Sequence, residues 1–150
     1  MLALLGLLRM WCHINIKICI VGRGFEAFKA ELEREGKLQV VGAMDNLADW
    51  YRNAHFVIAP IFDGSGMKTK VAEALMFGKK IIGTPEAFSG YEDAVNRAGW
   101  CCSTVDDFVA AISCAKSEIK LSFDPELRQL YEELYSQSVA KVRLERIMGE

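Results

Sequence analysis

Short β-branched runs alternate along the chain with longer stretches whose apolar residues recur every three or four positions. Ile16 to Val21 (IKICIV) predicts a strand, followed by Gly22-Arg23-Gly24 and a helix from about Phe25 to Glu35. Leu38 to Val41 predicts a second strand. Asp45 to Asn53 then predicts a short helix, with Asp45 or Asn46 at the capping position and Asp49 near the third helical position. Phe56 to Ile61 (FVIAPI) is the next strand, and Gly64-Ser65-Gly66 opens a helix from Met67 to Phe77. Gly78 stands where a C-terminal glycine is expected, with Lys79 and Lys80 at the carbonyl end. A strand from Lys80 to Gly83, a loop through Thr84-Pro85, an apolar-periodic segment from Val105 to Ala115 and a long helix from Pro125 onward complete the pattern. At the start, Leu4, Leu7, Leu8 and Trp11 fall at helical spacing. Met1 to Leu8 lacks a basic flank and a cleavage site, and it is shorter than the about 20 apolar residues of a membrane span, so the expectation is a core-facing helix.

Continuously apolar strands separated by helices imply a parallel sheet covered on both faces. The expected fold class is α/β, a doubly wound parallel sheet, in one domain without repeats or a low-complexity linker. In such folds ligands bind at the carboxyl ends of the strands, where glycine-rich loops open into helices. Three loops qualify here: Gly22 to Gly24, Gly42 to Asn46, and Gly64 to Gly66.

Composition narrows the partners. The chain has 150 residues, 51% of them hydrophobic, and a formal charge of −2, with both signs interspersed. That balance offers no basic footprint for nucleic acid and no polybasic membrane tether. The five cysteines include an adjacent pair and show no metal-ligand spacing, as in a reduced, intracellular chain. Only His13 and His55 are available as histidines, so neither a metal centre nor a Ser/His/Asp triad is expected.

Two of the loops have candidate chemistry. Gly22-Arg23-Gly24-Phe25-Glu26-Ala27 matches G-x-G-x-x-A between a strand and a helix, and Asp45 follows 21 residues after Gly24. In a dinucleotide-binding module the helix start would face a pyrophosphate and Asp45 would accept from ribose hydroxyls. Equally, the glycines permit a tight turn and Asp45 caps a helix. In the second loop, Gly64-Ser65-Gly66 exposes successive amides at a helix start, with Lys68 and Lys70 adding positive charge. On the helix that follows, Glu73 is a lone carboxylate among Val71, Ala72, Ala74, Leu75, Met76 and Phe77, and a carboxylate there needs solvent, an ion partner or a ligand. Lys70, three residues earlier, is one candidate partner, worth roughly 0.2–0.5 kcal/mol. A vicinal diol such as ribose presents is the other, with charge-assisted hydrogen bonds of roughly 1.5–3 kcal/mol each.

The stretch from Asp45 to Gly90, centred on Gly-Ser-Gly-x-Lys-x-Lys-x-x-Glu-Ala-Leu-x-x-Gly-Lys-x-Ile-x-Gly-Thr, resembles the C-terminal, donor-binding half of GT-B glycosyltransferases of the group 1 type. The likeness extends to Ile18 through Gly24 and to Arg128 through Tyr135-Ser136. It implies a Rossmann-like domain in which Glu73 binds the ribose of a nucleotide-diphosphate sugar. It places Gly64, Ser65, Gly66, Met67 and Lys68 near the diphosphate or donor sugar, with Lys70 beside them. It places the loop from Gly42 through Met44 to Leu47 against the base, and Gly22, Arg23 and Gly24 among the donor contacts. It suggests that Ser89-Gly90-Tyr91-Glu92 is a loop near the donor, where a plain surface loop is the alternative. In many of these enzymes a second glutamate precedes the ribose-binding one by eight residues; Ser65 stands there in this chain, as in a Gly-Ser-Gly branch. The resemblance implies no metal and no cofactor, the nucleotide-sugar being the substrate, and a catalytic residue is not assigned.

A whole GT-B enzyme has a second Rossmann-like domain that holds the acceptor, and its donor half begins with a strand and an Arg/Lys pair. Met1 to His13 resembles the helix after that strand, so the expectation is a donor-binding domain incomplete at its N-terminus and inactive alone. Its partners would be the nucleotide-sugar and, through the acceptor domain, a glycan or lipid-linked acceptor, in the cytoplasm or at the inner face of the membrane. Two rivals stand beside this reading: an NAD-type module built on Gly22, Gly24 and Asp45, and a non-catalytic assembly module that self-associates through exposed apolar surface.

Overall fold

The computed structural model describes residues 16–64, 68–119 and 122–149; the helix expected at Met1 to His13 lies outside them. The chain divides into two compact units, Met1–Asp49 and Trp50–Glu150.

In the first unit, β1 (Ile18–Val21) and β2 (Leu38–Val41) pair in parallel, Ile18 against Leu38 and Val21 against Val41. Leu38 and Val40 are buried while Gln39 and Val41 are only partly covered, the alternation of a strand with one face in a core. Between the strands the expected continuous helix is broken. A single α-helical turn, α1 (Lys29–Leu32), is flanked by 3-10 turns at Glu26–Phe28 and Glu33–Glu35. No side chain caps its start, Leu32 is the one buried residue of α1, and the Glu33 carboxylate accepts the Val40 amide at 2.8 Å. With so little burial to offset ordering, a regular helix does not propagate.

The helix α2 (Ala48–Asn53) leads from the first unit into the second. Of the two expected caps, Asn46 supplies the bond: its Oδ1 accepts the Ala48 amide at 2.8 Å. In the second unit, β3 (Phe56–Ala59), β4 (Lys80–Gly83) and β5 (Gly99–Cys101) form a parallel sheet in the order β3-β4-β5. The strand expected through Ile61 stops at Ala59 because Pro60 has no amide to extend a ladder. Between β3 and β4 lies α3 (Thr69–Met76), followed by Gly78 at φ 61°, as expected.

The short helix α4 (Val95–Ala98) and strand β5 are absent from the sequence pattern. Three residues, Gly-Trp-Cys, carry no periodicity. Space explains the glycine: a Cβ on Gly99 would lie 1.8 Å from the Ile81 carbonyl oxygen, so only glycine lets β5 pair there. The helix α5 (Val105–Glu118) starts with a reciprocal capping box between Thr104 and Asp107. The expected terminal helix is two, α6 (Pro125–Leu134) and α7 (Gln137–Met148). The break falls where the Tyr135 ring turns against Tyr91, with centroids 4.8 Å apart. Ser136 next to it caps α7, accepting the Val139 amide.

The core of the second unit joins Val71, Ala74 and Leu75 of α3, Ile81 of β4, Ala87, Phe88 and Tyr91 of the following loop, and Leu127 and Leu130 of α6. Ile82, next to Ile81 and equally buried, faces the opposite side of the sheet, where α5 packs on β4. The strand is therefore covered on both faces, as the continuous apolar run predicts. Parallel strands alternating with helices place the chain in the α/β class. Among the described residues, no helix is long and apolar enough to cross a membrane.

Candidate functional site

The expected donor contacts fall into both units. Gly22, Arg23, Gly24, Gly42, Met44 and Leu47 belong to the first, and Gly64, Lys68, Lys70 and Glu73 to the second. Ser65, Gly66 and Met67 lie outside the described residues.

In the first unit the turn after β1 needs its glycines for their dihedrals, with Gly22 at φ 141° and Gly24 at φ 94°. Its two glycine amides are already engaged, that of Gly22 by the Val41 carbonyl at 3.2 Å. Glu26 folds back so that its carboxylate accepts the Gly24 amide at 2.7 Å. Bonds from its own amide and from that of Gly24 hold this carboxyl below the usual glutamate range. The same side chain lies against Gly42, whose Cβ position is 3.7 Å from Glu26 Oε1. A side-chain carboxylate thus occupies donors that a dinucleotide pyrophosphate would need. Asp45, the expected ribose acceptor of that reading, is exposed.

The second unit gathers its polar side chains at the carboxyl ends of β3 and β4. Thr84, 3% exposed, ties the two strand ends together. Its hydroxyl donates to the Ile61 carbonyl and accepts the Ala87 amide at 3.1 Å, and its own amide donates to the Ala59 carbonyl at 3.3 Å. Lys68 stands just before α3 and is itself 7% exposed, so its ammonium must be satisfied from within. It donates to the Gly64 carbonyl and forms an ion pair with Glu86 Oε1 at 2.8 Å. This pair joins the loop after β3 to the loop after β4. Lys70, by contrast, is exposed and makes no ion pair with Glu73.

Glu73, in the second turn of α3, is partnered by Tyr51 of α2, whose hydroxyl donates to Glu73 Oε2 at 2.8 Å. Lys70, offered by the sequence as the alternative, loses because its side chain is long and solvated and its pairing would restrict two flexible chains for little gain. Tyr51 is held where it is: its ring stacks on Phe77 at 5.2 Å with an interplanar angle of 3°, and the Arg52 guanidinium lies 5.8 Å from the same Phe77 centroid. Burial, then the hydrogen bond to the Glu73 carboxylate, push the Tyr51 phenol well above its ordinary value, so it stays a neutral donor.

Behind this site Lys79, 2% exposed, donates to the Arg52 carbonyl at 3.0 Å and to the Ser122 carbonyl. Burial lowers its pKa. The sequence placed Lys79 at the carbonyl end of α3; the structure gives its ammonium to the end of α2 and to the segment before α6 instead. The loop after β4 is likewise mixed in character. Ser89, Gly90 and Glu92 are exposed, with Glu92 accepting the Gly90 amide at 2.9 Å, whereas Tyr91 is 3% exposed and belongs to the core. Among the described residues no group of His, Cys, Asp and Glu is arranged to hold a metal. Cys19, Cys101, Cys102 and Cys114 are free thiols, and burial pushes that of Cys102 up to about 11.

Tyr51 and Glu86 are the two residues at this site that sequence reasoning did not single out. Tyr51 reads as one more aromatic of an amphipathic helix, and Glu86 as a loop acid. Each gains its place from a partner far along the chain, 22 residues away for Tyr51.

Comparison with known proteins bears on this geometry. A family model described as Glycosyl transferases group 1 matches residues 3–116. The fold is similar to that in the crystal structure of WaaG, a glycosyltransferase involved in lipopolysaccharide biosynthesis. That likeness has a TM-score of 0.68 at 14% identity and covers 91% of this chain and 39% of that one. No curated protein matches the chain.

Proposed function

Because the chain belongs to the group 1 glycosyltransferases, we propose that its second unit binds the nucleotide-diphosphate part of a sugar donor, with Glu73 accepting the ribose hydroxyls. Transfer of the sugar would go to a glycan or lipid-linked acceptor held by a further domain, in the cytoplasm or at the inner face of a membrane. The observation that carries the reading is the state of Glu73. Its carboxylate is fixed through one oxygen by a neutral hydroxyl at 2.8 Å and has no cation within 4.0 Å among the described residues. A structural glutamate in a largely apolar helix is normally neutralised by a cation. A carboxylate held through one oxygen by a hydroxyl, with no cation beside it, suits a diol, which offers two donors and no charge.

Lys68 and the loop from Gly64 supply the second part of the reading. The ammonium and the start of α3 offer positive potential to a diphosphate, and Lys70 adds a mobile charge beside them. Lys68 is engaged with Glu86 at 2.8 Å, so a diphosphate that used it would exchange one anionic partner for another. The base-side and first-unit residues add nothing to this argument, which rests on the second unit alone.

Thermal-shift titration of the chain with UDP, GDP and NAD at millimolar concentration tests the proposal. At least one nucleoside diphosphate is expected to raise Tm in proportion to the logarithm of its concentration once above Kd. Glu73→Gln, which keeps shape and removes charge, is expected to weaken that ligand by about tenfold or more, as loss of charge-assisted bonds implies. Stabilisation by NAD alone, or a Glu73→Gln variant that binds as well as the parent, would overturn the reading.

A further inference from the structure

We propose that Tyr51 is a positioning residue for the nucleotide ribose: its hydroxyl holds Glu73 in the orientation that selects a diol. The inference rests on the donor-binding reading above and adds to it a second residue and a specificity.

The geometry restricts Tyr51 from two directions. Its ring lies flat on Phe77, the residue that follows the last turn of α3, and the helix that carries it ends where Lys79 holds the Arg52 carbonyl at 3.0 Å. The ring therefore cannot swing away without losing the stack, and its hydroxyl points along α3 to Glu73 Oε2. A phenol has one proton to give. With that proton committed to the carboxylate, the phenol oxygen itself can only accept further bonds. The carboxylate, unclaimed at Oε1 among the described residues, can likewise only accept. The pair presents acceptors alone, and both side chains are half-buried. That set complements two hydroxyl donors, and a sugar that lacks them forgoes hydrogen bonds to a charged acceptor.

A purely structural Tyr51 would affect stability and nothing else. The positioning role predicts a change in a ratio. For whichever of UDP or GDP binds the chain, affinity is measured by calorimetry for the ribose form and for its 2′,3′-dideoxy form. The parent is expected to prefer the ribose form by about tenfold or more. Tyr51→Phe keeps the ring and its stack and removes only the hydroxyl. It is expected to lower the preference by about fivefold to tenfold, the worth of one hydrogen bond, with dideoxy affinity unchanged. Glu73→Gln is expected to lose the preference, and Tyr51→Phe added to it to change nothing more, since the tyrosine acts through the carboxylate. The dideoxy ligand reports whether each variant is folded. Glu73→Asp supplies a second variant, drawing the carboxylate away from the phenol while keeping its charge, and is expected to match Tyr51→Phe.

If Glu73→Gln loses the preference and Tyr51→Phe keeps it, the positioning role is wrong and the donor-binding reading stands. If the parent shows no preference, or binds neither nucleotide, both fall together.

Discussion

The turn after β1 and the loop between β3 and α3 each combine glycines with the start of a helical segment, and each is engaged by a glutamate, yet they are closed in opposite ways. In the first, the acid is local: Glu26 folds back two residues and takes the Gly24 amide at 2.7 Å. In the second, the acid is remote: Glu86 reaches across from the loop after β4 to the Lys68 ammonium at 2.8 Å. The local closure satisfies backbone donors and leaves an exposed, capped turn. The remote closure ties two loops together around a nearly buried cation. A glycine turn before a helix is therefore not by itself an anion site; what decides is whether its donors are already taken, and by which partner.

The same contrast separates the glycines themselves, and the largest predicted effect comes from breaking it. Gly22 is required for its φ of 141° and has nothing within 4 Å of its Cβ position, whereas Gly99 is required because Ile81 O stands 1.8 Å from that position. Gly99→Ala should abolish the cooperative thermal transition of the second unit. Gly22→Ala should cost roughly 1–3 kcal/mol and leave the transition visible by circular dichroism. Equal effects from the two substitutions would remove the distinction.

A smaller effect sharpens the comparison at the second loop. Glu86→Gln frees Lys68 from its anion and should tighten binding of the nucleoside diphosphate by about two- to fivefold, the worth of a part-exposed ion pair. Calorimetry that finds weaker or unchanged binding would mean that Glu86 supports the loop rather than competing with the ligand.

The smallest effect belongs to the first turn. Glu26 has its carboxyl held below the ordinary glutamate value of 4.5, so it contributes stability that is present above pH 4.5 and lost as pH falls through the lower, folded value. The stability difference between the parent and Glu26→Gln, followed by denaturant melts between pH 7 and pH 3, should shrink on the acid side. A difference that grows there would reverse the assignment.

How much of this was legible in the sequence depends on the range of the forces involved. The strands Leu38–Val41 and Lys80–Gly83 were read to the residue, because β-branched runs bounded by glycine are local signals. Asn46 as a cap and Gly78 as a helix stop were legible for the same reason. Strand β5 was not, since Gly-Trp-Cys has no period and is ordered by Ile81 above it. The break at Tyr135 and Ser136 was hidden because helical periodicity continues through it, while the ring of Tyr91 that turns Tyr135 aside lies 44 residues earlier. At the site, Glu73 stood out as the one carboxylate of an apolar helix. Its partner did not, because Lys70 satisfies the spacing rule for a helix pair and Tyr51 satisfies only the packing of two helices.

Lys79 has a practical consequence. At 2% exposure, with its amine committed to two carbonyls 27 and 43 residues away along the chain, it is shut off from any reagent that acylates amines. Lysines such as Lys70 and Lys141 are exposed and open to the same reagent. Acylation of Lys79 requires the second unit to open, so the ratio of its labelling to theirs is a built-in gauge of how often that unit breathes.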